Sequence, residues 1–163
     1  MTNQVYSILA AFGTNRPVSR YDGPALSSIG EAMVGHPNSL LVHQCLQAAT
    51  DGDRQTLRAL WADDIVWHVK SESPWQGEIK GPDDIFDYLA TLGEVGSDGF
   101  HTEIEDIMVS NERAAVICHT HAEMGDRVLE ARFLMVAKIM SRRIQEIVSI
   151  PLDADRVAEF WAE

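Results

Sequence analysis

At 163 residues and 18.1 kDa the chain holds enough material for one domain with its own core. Its make-up of 45% hydrophobic, 23% charged and 7% aromatic residues excludes a disordered tail, a collagen-like fibre and a coiled coil. Twenty-five acidic against 13 basic residues leave a net charge of -12, which repels nucleic-acid phosphates and anionic membrane surfaces and excludes both as partners.

Residues 1–38 read differently from the rest. Val5, Ile8, Leu9 and Phe12 recur at helical spacing, the run GTNRPVSRYDGP is rich in turn formers, and Ala25 to Val34 suit a second short helix stopped by Gly35. This segment is expected to be a helical arm that packs on the body or on a neighbouring subunit. It lacks the charged start of a secretory signal, since no Lys or Arg precedes Arg16. No apolar run reaches the roughly 18 residues of a membrane span. Cys45 and Cys118 lie far apart in apolar settings and read as reduced core thiols, so a cytoplasmic protein is expected.

The body is expected from residue 39 to residue 163. Asn38 and Ser39 are plausible caps for a helix over Leu40–Thr50, with Val42, Cys45, Leu46 and Ala49 as its apolar stripe. Gly52 ends it, and Asp53 caps a second helix that runs to Trp61. Ile65–Val69 reads as a strand and SESPWQGEIKG as a loop. Pro82-Asp83-Asp84 opens a third helix, with acids at the positive end of its dipole and Ile85, Tyr88, Leu89 and Leu92 on its apolar face.

The period then switches to two. Strands are predicted over His101–Val109, Arg113–Met124, Arg127–Met140 and Arg143–Ile150, with a closing helix over Asp153–Trp161. Three helices followed by an antiparallel meander predict an α+β fold, a curved antiparallel sheet with the helices on its concave face.

Gly125–Asp126 suits a two-residue turn with Gly first, and that turn sets a register. Cys118 then faces Phe133, Thr120 faces Ala131, Val116 faces Met135, His119 faces Arg132 and His121 faces Glu130. One resulting face, from Val116 to Ala122 and Leu129 to Ala137, is nearly all apolar and must meet the helices. The other, with His119, His121, Glu123, Glu130 and Arg132, is mixed and suits solvent or a subunit interface. A three-residue loop at Ser110–Glu112 turns Thr102, Ile104, Asp106 and Met108 inward; a two-residue loop would bury Glu103 and Glu105 at high cost. The first register leaves Asp106 as a lone inward carboxylate.

The run LVHQCLQAATDGDRQTLRALWADDIVWHV, the loop WQGEIKGPDDIFDYL and the ending RIQEIVSIPLDADRVAEFWA resemble a SnoaL-like domain over roughly residues 39–162. Such domains share the cone-shaped fold of nuclear transport factor 2, ketosteroid isomerase and scytalone dehydratase. The resemblance implies a deep apolar pocket between sheet and helices, a small hydrophobic ligand, a homodimer, and cofactor-free isomerisation, cyclisation or dehydration. It does not carry the relatives' catalytic residues. The isomerase's tyrosine matches Cys45, its general base Val69 and its protonated aspartate Met135. The Arg-x-Asp strand position of limonene epoxide hydrolase matches His119-Thr120-His121, and its last Asp matches Ser149. Of the dehydratase's two histidines, one position falls near His101 and the other on Cys118.

The candidate residues follow from both readings. Asp106 is the sharpest catalytic candidate, because a carboxylate among apolar neighbours serves as acid or base; the alternative is a rim carboxylate bonded to a nearby donor. His68 is a second candidate, although alternation places it opposite Trp67, which the family match turns toward the pocket. Trp67, Trp75, Tyr88, Phe133 and Met135 are expected to line the pocket or to pack as ordinary core, joined by Val69, Cys118 and Ser149 at matched positions. Trp61 and Trp161 read as structural. His119-x-His121 with Glu130 has the spacing of a metal site, but Arg132 in the same patch repels a cation, so no metal is expected. No phosphate-binding glycine loop or zinc cysteine spacing occurs, and no cofactor is expected.

Overall fold

A helix must hand its first backbone N–H groups to some acceptor, and His36 supplies one in the first described helix. In the computed structural model, which describes residues 36–96 and 99–162, helix α1 spans Pro37–Asp51. The His36 ring accepts from the Asn38 N–H at 3.2 Å, and Pro37 occupies the first turn, where no donor is missed. The cap thus lies two residues earlier than expected. Asn38 does something else: its side-chain amide donates to the carbonyls of Ser110 and Asn111, at 2.7 and 3.0 Å, and ties the start of α1 to the β3–β4 turn. The arm expected over residues 1–38 lies, up to residue 35, outside the described residues.

Gly52 ends α1 in the left-handed region, φ 67°, and Asp53 caps α2, Arg54–Leu60, by accepting from the Thr56 N–H. Strand β1, Trp61–Val69, begins at once. The expected loop SESPWQGEIKG contains a short edge strand, β2, Gly77–Lys80, which pairs antiparallel with β1. Helix α3, Pro82–Gly93, follows. Strands β3, His101–Val109, β4, Arg113–Met124, β5, Arg127–Met140, and β6, Arg143–Pro151, form the meander, and α4, Ala154–Trp161, closes the described chain.

The sheet has six strands in the order β2-β1-β6-β5-β4-β3. Four of its five strand pairs are antiparallel, as the expected antiparallel sheet requires, and one is parallel: β1 runs parallel to β6, with Trp67 opposite Ile147 and Val69 opposite Ser149. Parallel pairing needs a long crossover, here everything from β2 through β5. Among the described residues four helices accompany the sheet, α1 over β3 and β4, α3 over β1 and β2, and α4 against β5.

The β4–β5 register is the one expected from Gly125, whose φ is 66°. Val116, Cys118, Thr120, Ala122, Leu129 and Ala131 are buried on its covered face. On α3, Ile85 and Leu89 are buried as expected, and so is Phe86, which stacks on Trp61 with ring centroids 5.3 Å apart.

The β3 register carries a correction. Ile104 stands opposite Cys118 but Asp106 stands opposite Ile117, so Glu105 is an extra residue, a β-bulge. Thr102 and Ile104 are buried as expected. Beyond the bulge the alternation inverts: Ile107 and Val109 pack on the core, while Asp106 and Met108 are exposed. Asp106 is therefore not the inward carboxylate; its Oδ1 accepts from the N–H of the next residue, Ile107, at 2.8 Å. One inserted residue buries two aliphatic side chains where regular pairing would have buried a charge.

The β5–β6 hairpin turns on Ser141 and Arg142, with φ of 53° and 59°. Left-handed backbone at both central residues favours Asn–Gly, and ordinary side chains are strained there. The double variant S141N/R142G is expected to gain about 1 kcal/mol in urea unfolding. An unchanged midpoint would show that the turn stores no strain.

Candidate functional site

Helices α3 and α4 and the inner face of the sheet leave a gap that side chains do not fill. The gap is a cavity of about 710 Å³, its open mouth included, bounded by β1, β3–β6, α3, α4 and the 70–76 loop.

Five of its six aromatic wall residues touch in series. Trp67 meets Tyr88 at 5.8 Å and 74°, Tyr88 meets Trp75 at 5.8 Å and 60°, and Trp75 meets Trp161 at 5.1 Å and 84°. Trp161 stacks on Phe100 at 5.9 Å and 11°. Each ring is placed by a different element. Trp67 is aimed inward by the strand alternation of β1, and its indole N–H donates to Ser149 Oγ at 2.7 Å, across the parallel β1–β6 pair. Trp161 is held because Arg127 of β5 donates to the carbonyls of Phe160, at 3.0 Å, and Ala162, at the negative end of α4. Arg156 pins the same helix by donating to the Glu130 carbonyl at 3.2 Å.

Trp67, Val69, Trp75, Tyr88, Cys118, Phe133, Met135 and Ser149 all line this one cavity. Nine further wall residues were not expected in a pocket from the sequence, among them Ser71, Ser73, Phe100, Thr120 and Trp161. Trp161, read as structural, faces the cavity, because α4 folds back over β5. The amphipathic spacing of the last helix was a signal for burial, but nothing local says against what. Trp61 is core, 3% exposed.

The polar groups of the wall are neutral. Thr102 and Thr120 share a hydrogen bond of 3.1 Å. Ser73 Oγ is buried and has no hydrogen-bond partner. Burial pushes the Tyr88 hydroxyl well above its usual range, so it stays protonated. The Cys118 thiol is pushed up to about 12, chiefly by burial; backbone hydrogen bonding at Phe133 works the other way and the nearby Glu105 charge adds to the rise. Cys45, likewise pushed up to about 12 by burial, is a free thiol too. Neither is a nucleophile near neutral pH. Among the described wall residues there is no carboxylate, imidazole, ammonium or guanidinium.

The other candidates lie elsewhere. His68 is on the opposite side of β1 from Trp67, with Glu78 at 3.5 Å and Glu146 at 3.6 Å from its two ring nitrogens. His119 and His121 share the carboxylate of Glu130, at 3.0 and 2.6 Å, while Arg132 pairs with Glu105 at 2.7 Å. Those residues form a charged cluster on the open face, with His101 opposite His121 in the β3–β4 register.

The model of the SnoaL-like domain matches residues 42–147. This chain belongs to the SnoaL-like domain family. Solved structures agree on its fold. Bal32a, from a soil-derived mobile gene cassette, superposes with a TM-score of 0.71 at 24% identity, over 77% of this chain and 97% of that one. An NTF2-like protein of Burkholderia xenovorans LB400 gives 0.65 at 20% identity, over 77% and 96%. A putative SnoaL-like polyketide cyclase of Jannaschia sp. CCS1 gives 0.61 at 13% identity, over 78% and 93%. No curated protein matches the chain.

The raised thiols have a measurable consequence. Above pH 9 the unfolded chain loses thiol protons that the native chain keeps up to about 12, so native stability falls as pH rises through that window. Urea midpoints at pH 8 and 10.5 should drop more for the wild type than for C45A/C118A. Equal drops would mean that the thiols ionise in the native state.

Proposed function

We propose that this domain binds a small, uncharged, hydrophobic molecule in the aromatic cavity. One observation carries the proposal: an open, self-braced aromatic wall interrupted only by neutral hydroxyl and thiol groups. Flat rings and aliphatic walls desolvate an apolar molecule, and the unpartnered Ser73 hydroxyl and the protonated Tyr88 hydroxyl offer hydrogen bonds to an oxygen on it. Trp67, Val69, Trp75, Tyr88, Cys118, Phe133, Met135 and Ser149 are the binding residues of this reading. Asp106 and His68 are not part of it, since both lie off the cavity; acid–base isomerisation, cyclisation or dehydration through them has no geometric support.

Titration with the neutral fluorophore phenylnaphthylamine should saturate with quenching of tryptophan emission. Trp75→Ala should weaken binding about tenfold or more, given the ring area lost, and Asp106→Asn should bind as the wild type does. A titration that never saturates, or equal affinities for Trp75→Ala and the wild type, would refute the site.

We further propose a cytoplasmic homodimer. The two free thiols favour a reducing compartment. The open sheet face sets half-buried Ile117, Leu134 and Ile150 side by side in register and rims them with the His119–Glu130–Arg132 cluster, a surface suited to a second copy. Light scattering should return twice the chain mass, and Leu134→Arg should return the monomer; a wild-type monomer would exclude the dimer.

A further inference from the structure

A second cavity adjoins the first, and three side chains belong to the walls of both. It occupies about 630 Å³, openings included, between α1, α2 and the sheet. Trp67, Leu89 and Met135 line both cavities, so these three side chains are a shared partition and not the end of either space. The inner space has no hydroxyl in its described wall, whereas the outer one has Ser71, Ser73, Tyr88, Thr102, Thr120 and Ser149.

The inner space exists because small residues stand where a core would ordinarily place large ones. Ala114 and Ala137 face each other across the β4–β5 register, and Ala49 approaches from α1. A core at ordinary packing density leaves no such gap, since an empty apolar void forfeits the contacts of everything around it. A hydrocarbon chain would restore them.

Resting on the binding reading above, we propose that the two cavities form one two-chambered site for an uncharged amphiphile. Its oxygen-bearing head lies in the outer chamber, within reach of the unpartnered Ser73 hydroxyl, and its hydrocarbon tail passes the Trp67–Leu89–Met135 partition into the inner chamber. The head is uncharged because neither chamber has a charged side chain among its described residues, and an ionised head would be buried without a partner. Met135 is the flexible member of the partition and yields to a passing tail more readily than a ring does.

The test is a chain-length series of straight primary alcohols, hexanol to dodecanol, with the matching carboxylates, read by tryptophan fluorescence at pH 8. For the wild type, alcohol affinity should rise roughly fourfold per added methylene to the end of the series, and each carboxylate should bind at least tenfold more weakly than its alcohol. Ala137→Leu, which fills the inner chamber from the sheet, should leave hexanol unchanged and abolish the gain for the long members. Ala49→Leu fills the same chamber from the helix and should do the same. A wild-type series that levels off at its short members overturns the two-chamber site while leaving the binding reading intact, as does equal weakening of short and long alcohols in both variants. Carboxylates that bind as tightly as alcohols overturn the uncharged head. Failure of every alcohol to bind removes the binding reading itself, and this inference with it.

Discussion

Trp67, Tyr88, Trp75, Trp161 and Phe100 lean on one another in an unbroken series, and the cavity depends on that bracing. Rings that meet edge to face hold each other through the positive edge and negative face of their π systems. A ring that swung into the cavity would lose its neighbours on both sides. The five rings come from β1, α3, the loop before β2, α4 and the segment before β3, so the same contacts that keep the space open also join distant parts of the chain. Ser149 anchors one end of the series by accepting the Trp67 N–H, and Arg127 anchors the other by capping α4. A buried indole N–H without its acceptor would oppose the inward orientation of Trp67.

The sheet separates charge from the site. The chain carries 25 acids, yet the described cavity wall has none of them. Four of them meet partners on the open side: Glu130 with His119 and His121, Glu105 with Arg132, Glu78 and Glu146 beside His68. The bulge at Glu105 completes the separation. It puts Glu105 within reach of Arg132 and leaves Asp106 in water, at the cost of one unpaired residue in an edge strand. Under the binding function proposed above, a site so insulated would select ligands by shape and neutrality, not by ion pairing, and its hydroxyl groups would add only a modest orienting force.

Much of this was legible in the sequence, for reasons that differ from residue to residue. The Gly125–Asp126 turn determined the β4–β5 pairing because a two-residue hairpin allows one register, and that register put Cys118, Phe133 and Met135 on the covered face. The family resemblance supplied what periodicity does not, namely that Trp67, Val69 and Ser149 share a pocket. Three features were not legible. The start of α1 at Pro37 depends on a histidine ring acting as cap. The short strand β2 is recognisable only once β1 is beside it. Trp161 faces the cavity because α4 lies over β5, held by buried Val157 and Phe160 and by Arg127 and Arg156.

Local choices with strong winners were readable from the residues alone: a helix stop at Gly52, a helix start at Gly81–Pro82, alternating strands, and one tight turn. Each depends on interactions within a few residues, where backbone sterics and hydrophobic period dominate. The parallel β1–β6 pair, the bulge at Glu105 and the outward placement of Asp106 emerge on folding, because each balances contacts between segments far apart in the chain. Asp106 shows the physical reason most clearly. Its inward placement followed correctly from regular alternation, but burying Ile107 and Val109 outweighs one broken ladder position, and that comparison exists only when β3 lies against β4 and the core behind it.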